Sequence, residues 1–478
     1  MAKKSIAKNY LYNLTYQILI LILPLITTPY LSRVLGADGI GIYSYTYTIV
    51  NYFVLFGSLG VAMYGQREIA YAQEEKEKRK RIFLEIIIFR FITIGIATCI
   101  YWYFFMRTGE YSKYYKILLF ELIAGAFDIS WFFQGLEDFK KTVTRNILVR
   151  TVSVALIFIF VKKQEDLIKY MYIYSLADFI GNLTLWVYLP KYLKGIKVKN
   201  VNIFKQVPAI LLLFLPQVAN KIYNMLDTTM LGNIVADKSE TGYYEQSQKV
   251  IRLLLTLVTS LGTVMVPRMA SMFASGEKEK INEYMKKSFN FVFLLSFPVM
   301  FGIISVSKQF VPIFFGAGYE KAGTLICIIS PIILLMGIAN VVGTQYLLPT
   351  KRQKEYTISV VVGIVVNFIL NYILITLWSS VGACIATVLS QIVVDVMQLY
   401  NVRKEIKLKE MFEMSYKYLL ASVIMFIGCW IIKKVPLANA LSIAIQVIIG
   451  AIIYVAVLTA LKDEYVYSFI KKVKEKLA

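Results

Sequence analysis

Residues 10–31 read YLYNLTYQILILILPLITTPYL, residues 32–39 read SRVLGADG, and residues 40–64 read IGIYSYTYTIVNYFVLFGSLGVAMY. Neither long run holds an Asp, Glu, Lys or Arg. Each is about as long as the roughly 20 apolar residues that one helical crossing of a bilayer takes. The short stretch between them collects Ser, Gly, Arg and Asp, which favour a turn over a continued apolar helix. This is a membrane helical hairpin.

Moving outward, the same reading repeats along the chain and predicts about 14 spans. Spans 3 to 6 run over Ile82–Met106, Tyr114–Phe133, Ile147–Val161 and Tyr170–Leu189. The next six run over Val207–Val235, Gln246–Pro267, Ser288–Val306, Thr324–Leu348, Ile358–Trp378 and Ala383–Val402. Tyr418–Ile432 and Ala440–Leu461 close the series. The composition agrees: 58% hydrophobic, 17% charged, mean hydropathy +0.62, against about 45–50% apolar and about 25% charged in soluble domains.

The formal charge is +22, from 52 Lys and Arg against 30 Asp and Glu. With an odd–even alternation of loops, about 35 Lys and Arg fall on the side of the N-terminus and about 11 on the other. Both termini are therefore expected in the cytoplasm, and the surplus reads as positive-inside loops rather than a nucleic-acid surface. Histidine is absent, so the usual near-neutral acid–base group is missing. Cys99, Cys327, Cys384 and Cys429 lie in apolar runs and are expected as small buried hydrophobes. No signal peptide, phosphate-binding loop, metal cluster or cofactor motif is expected, and no loop has room for a catalytic domain.

An internal echo divides the chain. Gly41-Ile-Tyr43, Ser58-Leu-Gly60 and Arg67 are matched by Gly242-Tyr-Tyr244, Ser260-Leu-Gly262 and Arg268, with Pro24 matched by Pro216. The offset is six spans, an even number, so the halves share one orientation, a parallel repeat. The expected domains are a six-helix lobe at 1–206, a second at 207–402, and two extra helices with a basic tail at 403–478.

Ionisable residues inside spans are functional candidates. Arg90, Lys221, Lys249 and Arg252 supply positive charge, and Asp128, Asp178, Asp227 and Asp395 negative charge. Lys221 lies about 21 Å along its helix and Asp227 about 9 Å further on. Lys249 and Arg252, three apart, share a helix face. Arg90 serves either a cavity or a salt bridge with an Asp. Arg150 and Lys116 are expected to reach an interface. Asp227 is a coupling-ion site or a counter-charge to Lys221. Amides at membrane depth, among them Asn51, Gln217, Asn220, Asn367 and Asn371, suit a wet interior or glue between helices. Tyr43, Tyr45 and Tyr47 are expected in the interfacial belt.

The stretch KNYLYNLTYQILILILPLITTPYLSRVLGADGIGIYSY, with FLPQVANKIYNMLDTTMLG, GYYEQSQKV and VMVPRMA in the second half, resembles the polysaccharide-repeat-unit flippases of the multidrug/oligosaccharidyl-lipid/polysaccharide exporter superfamily. The resemblance implies an all-α integral membrane protein, V-shaped, with two six-helix lobes and alternating access. It implies a substrate of polyprenyl-pyrophosphate-linked oligosaccharide, moved from the inner to the outer leaflet in the presence of membrane lipid, with a proton or sodium ion as coupling ion. It places the anionic headgroup against Lys221, Lys249 and Arg252, and less directly Arg33 and Arg90. Asp227, Asp178 and Asp128 are the candidate ion-coupling carboxylates. A lipid II flippase and a cation antiporter of the same superfamily are the alternatives. The antiporter would want a more acidic interior.

Overall fold

The computed structural model describes residues 6–435, 438–463 and 465–467. The basic tail from 468 and the side chains of Pro216, Gln217 and Asn220 lie outside the described residues. Every described element is helical, as a membrane interior demands, because a helix satisfies its own backbone polar groups. The helices are α1 (Ile6–Ser58), α2 (Val61–Tyr71), α3 (Lys76–Tyr101), α4 (Ser112–Phe127), α5 (Ser130–Gly135), α6 (Phe139–Phe160), α7 (Leu167–Trp186), α8 (Pro190–Leu193) and α9 (Val207–Ile234). They continue with α10 (Lys238–Thr259), α11 (Gly262–Ala274), α12 (Lys278–Phe314), α13 (Glu320–Ile329), α14 (Ile332–Ala339), α15 (Gln353–Val402), α16 (Leu408–Phe412), α17 (Ser415–Lys433) and α18 (Asn439–Ala460). By length and composition, eight described helices can cross a membrane, or ten if each bent pair is one span.

Two of the eight are kinked. In α1 the chain turns at Gly36, whose φ of 68° puts it in the left-handed region that glycine enters at little cost. That is the SRVLGADG stretch. In α15 the break is Ser379, at φ 52° and ψ −129°. Both Ser-Leu-Gly sites also interrupt helices. The first falls between α1 and α2, and the second between α10 and α11, which are bent by 43°. Pro331 sits at the 40° bend between α13 and the helix that follows it. The sequence marks the turn over 32–39 and the gap between Trp378 and Ala383, whereas the Ser-Leu-Gly sites were expected inside spans 2 and 8 as a repeat rather than as breaks.

Contacts divide the chain into two compact units, Met1–Thr229 and Met230–Ala478, parting inside α9. In the first unit α1 packs on α3, α4 and α6, and α7 packs on α4 and α6. Trp131, Phe132 and Phe133 of α5 are fully buried beside Phe83 and Ile86 of α3. The stretch after α8 is tied down. Buried Glu85 accepts hydrogen bonds from the Asn202 amide at 3.1 Å and Gln206 Nε2 at 2.7 Å. In the second unit the long α12 packs on α13, α14, α17 and α18, so the final helix pair belongs to this core.

Several boundaries differ from expectation, span 9 running over Lys278–Phe314 rather than Ser288–Val306. In two others, span 5 begins at Phe139 rather than Ile147, and span 8 at Lys238 rather than Gln246. Thr142, Thr144, Arg145 and Asn146 in one, and Ser239, Glu240 and Thr241 in the other, lower local hydropathy. They are nevertheless helical because packing inside a unit, not apolarity, holds them. Cys384 and Cys429 are buried, but Cys99 is exposed.

Candidate functional site

The first unit holds a polar cluster at membrane depth. With α6 starting early, Arg150 stands mid-helix instead of near an interface. Its Nη2 approaches Asp178 Oδ2 of α7 at 3.4 Å, and its guanidinium lies 5.0 Å from the centre of the Tyr174 ring. An ion pair and a ring face thus replace the expected reach to headgroups. Glu121 of α4 faces the fields of Asp178 and Arg150, and the Tyr47 hydroxyl bonds it. Glu121 Oε2 is buried with no hydrogen-bond partner among the described residues. Tyr43 stacks on Tyr47 at 5.2 Å and meets Tyr170 edge-on at 4.8 Å, while Tyr47 meets Tyr174 at 5.9 Å. These tyrosines pack inward rather than forming a belt. A cavity of about 290 Å³ opens beside them, its lining including Pro24, Thr27, Arg150, Ser153, Tyr170 and Tyr174.

Arg90 is spent inside the unit. It is 3% exposed, donates from Nη1 to the Asp128 carbonyl at 2.9 Å, and lies 3.8 Å from Asp128 Oδ2. Asp128 sits at the break between α4 and α5, where its Oδ1 accepts the Ser130 amide at 2.9 Å. Of the two expectations for Arg90, the salt bridge is the one formed. Arg33 is exposed on α1, just before the Gly36 turn.

On α9, Lys221 is exposed and Asp227 is 6% exposed. Six residues of helix turn the two side chains about 120° apart, which matches that contrast. Asp227 acts electrostatically on Tyr52 of α1, whose hydroxyl accepts from Thr229 at 3.3 Å.

In the second unit, α10 presents Glu245, Lys249 and Arg252 on one face, at spacings of four and three. Arg252 Nη1 lies 3.7 Å from Glu245 Oε1, with its own side chain 49% exposed. Lys249 is half-buried within the fields of both. Two positive charges thus share one carboxylate on a partly open face. Glu245 was missed as a site residue, although its i+4 and i+7 spacing to Lys249 and Arg252 was the available signal. Glu121 was missed too, although a lone carboxylate in an apolar run is a signal in itself. A neighbouring face of α10 is buried, with Gln248 Nε2 donating to Tyr244 at 2.6 Å and the Tyr244 hydroxyl 3.3 Å from Thr387 of α15. Among the described residues no group of side chains could hold a metal ion.

Known proteins share this framework. A family model described as polysaccharide biosynthesis protein matches residues 6–273, and one described as lipid II flippase MurJ matches residues 152–448. A protein of Escherichia coli (strain K12) named "Putative O-antigen transporter" is 25% identical over 406 residues, covering 84% of this chain and 97% of its own. Lipid II flippase MurJ of Bacillus subtilis (strain 168) is 22% identical over 182 residues, 36% of this chain and 33% of its own. Among solved structures, a lipid II flippase MurJ in an inward closed conformation superposes with a TM-score of 0.76 at 17% identity, covering 96% of this chain and all of that one (100%). An inward-facing multidrug resistance MATE family transporter of the MOP superfamily gives 0.58 at 12% identity, covering 83% of this chain. At such identities the superpositions speak for the fold alone.

Proposed function

We propose, from the premise that this chain belongs to the polysaccharide biosynthesis protein family, that it is a flippase for lipid-linked oligosaccharide repeat units. It carries an undecaprenyl-pyrophosphate-linked glycan from the cytoplasmic to the outer leaflet of a bacterial cell membrane, for surface polysaccharide synthesis. Fourteen crossings, counting each arm of kinked α1 and α15 and including α7 and α9, leave both termini in the cytoplasm. The lobes at 1–206 and 207–402 alternate access, with 403–478 as the added pair and tail. Asp227, Asp178 and Asp128 are the proposed coupling carboxylates. Asp178 and Asp128 each face an arginine.

The observation that carries the substrate class is the basic face of α10. Lys249 and Arg252 outnumber Glu245, and Arg252 is half exposed. A pyrophosphate entering low dielectric needs such charge, and one pair at 4 Å is worth about 4 kcal/mol at an effective dielectric of 20, before desolvation. Lys221, exposed on α9 of the first unit, is a separate candidate for the same headgroup. The neutral replacements Lys221→Gln and Arg252→Gln, reconstituted in proteoliposomes, test this. A charge-assisted bond is worth about 1.5–3 kcal/mol, so each should slow flipping about tenfold or more, whatever the glycan. Arg252→Lys should fall between, because an ammonium cannot bind phosphate oxygens in pairs. Normally folded Gln variants flipping at the wild-type rate would refute the headgroup role.

The match of the MurJ family model to 152–448 keeps lipid II as a second reading. The same vesicles loaded with lipid II separate the two. Transport of lipid II in preference to glycan repeat-unit lipids would favour it.

A further inference from the structure

The second unit buries a carboxyl that none of the assignments above uses. Asp395 lies in the second arm of α15 and is 4% exposed. Its Oδ1 accepts Gln391 Nε2 at 2.9 Å. Its Oδ2 is buried with no hydrogen-bond partner among the described residues. Gln398, one helical turn on and 1% exposed, leaves its own Oε1 buried and without a partner. Residues three apart on a helix face one another.

The amide of Gln398 is not free to turn round. Ser359 spends its hydroxyl hydrogen on the Tyr356 carbonyl at 2.7 Å, so its Oγ accepts from Gln398 Nε2 at 3.1 Å. That leaves Oε1 for the other side. Two buried acceptors on one helix face lack a donor, and such groups are costly to leave unmet.

No positive charge supplies it. Among the described residues no Lys or Arg makes an ion pair with Asp395. Several titratable groups on the packed elements are engaged elsewhere. Glu240 of α10 bonds Ser380 and Lys321, both at 2.5 Å, Tyr346 donates to Glu405 at 2.6 Å, and Tyr244 takes the Gln248 amide. Polar side chains run on from Asp395 along the same buried face, through Gln391 and Ser390 to Thr387. From Thr387 to Gln398 this file is about 16 Å long.

We propose that Asp395 is a proton-carrying group: a proton on Oδ2 is donated to Gln398 Oε1, and this proton is loaded and released during transport. The O–H bond forms as water on one side gives up a proton and breaks as water on the other side takes it. No other reactant is required. The coupling half of the proposal rests on the flippase reading; the protonation half does not.

Infrared spectroscopy of the reconstituted full chain tests the protonation half. The wild type should show a carboxylic-acid carbonyl band that Asp395→Asn lacks and that fades as the buffer is made alkaline. Gln398→Leu keeps the acid but removes its acceptor, so the band should move to the higher frequency of an unbonded acid. A proteoliposome assay tests the coupling half. An imposed pH gradient should speed wild-type flipping, and Asp395→Asn should lose about tenfold of that stimulation, a typical coupling magnitude, while Asp395→Glu retains it. Identical spectra for wild type and Asp395→Asn at every pH overturn the proposal. So does a band without loss of gradient stimulation in Asp395→Asn, or stimulation by a sodium gradient alone. A wild type that shows the band but flips no lipid overturns the transport reading and the coupling role with it.

Discussion

Two kinds of charge within the spans meet in this protein, and they should fail differently. Arg90 is enclosed with Asp128, and removing one partner of a buried pair leaves the other uncompensated, at about 3–5 kcal/mol. Asp128 keeps the Ser130 amide and some exposure, so the lower end applies. Arg90→Met should therefore lower the thermal unfolding midpoint in detergent and reduce yield. Lys221, exposed on its helix, should give a Gln variant with an unchanged midpoint whose defect is confined to transport. Thermal scans of the two variants side by side check this, and equal destabilisation would contradict it. The pair of Lys249 and Arg252 was legible as a shared face because helical spacing alone places residues three apart together. Arg150 was not, since its partners Asp178 and Tyr174 come from another helix.

The element whose geometry is most demanding is α15. At its break, a Cβ on Gly382 would stand 1.9 Å from the Leu374 carbonyl oxygen, closer than any side chain can lie without moving backbone. Nearby Ser379 holds a positive φ that costs a residue with a Cβ about 1–3 kcal/mol. Gly382→Ala should destabilise the fold by about 1–3 kcal/mol or more, as overpacking does. Ser379→Gly should be neutral to stabilising by up to about 1 kcal/mol, the relieved strain being partly offset by unfolded-chain entropy. Opposite shifts of the unfolding midpoint would bear this out; equal shifts would mean that the turn is not strained. The break itself was half legible. Sequence hydropathy separates Ile358–Trp378 from Ala383–Val402, but which residue absorbs the turn depends on how Glu240 of α10 grips Ser380, at 3.2 Å from its amide and 2.5 Å from its hydroxyl.

For the whole molecule, the charge asymmetry of the loops makes a prediction that needs no assay of transport. The segment Glu74–Lys80 should be cytoplasmic, with six Lys and Arg in its loop at 65–82. A cysteine placed there in a background without the four native cysteines should resist an impermeant thiol reagent applied to intact cells and react in inside-out vesicles. Labelling from outside would invert the topology and move the basic face of α10 to the other route of entry. Cys99, exposed on α3, must be replaced for the experiment to be clean.

Sequence by itself determined the solvent of this protein, its helical class and the turn of its first hairpin. Runs of apolar residues and the turn-forming stretch at 32–39 act locally, through hydration and backbone torsion, and need no knowledge of neighbours. Only the tertiary structure decided which charges are used up and which stay available. Arg90, Arg150 and Arg252 all fall within predicted spans. Arg90 is enclosed with Asp128, Arg150 is held to Asp178 and a tyrosine ring, and Arg252 stays half open beside Glu245. The cost of a charge in low dielectric depends on what lies within a few ångströms of it, and that distance is set by helices far apart along the chain.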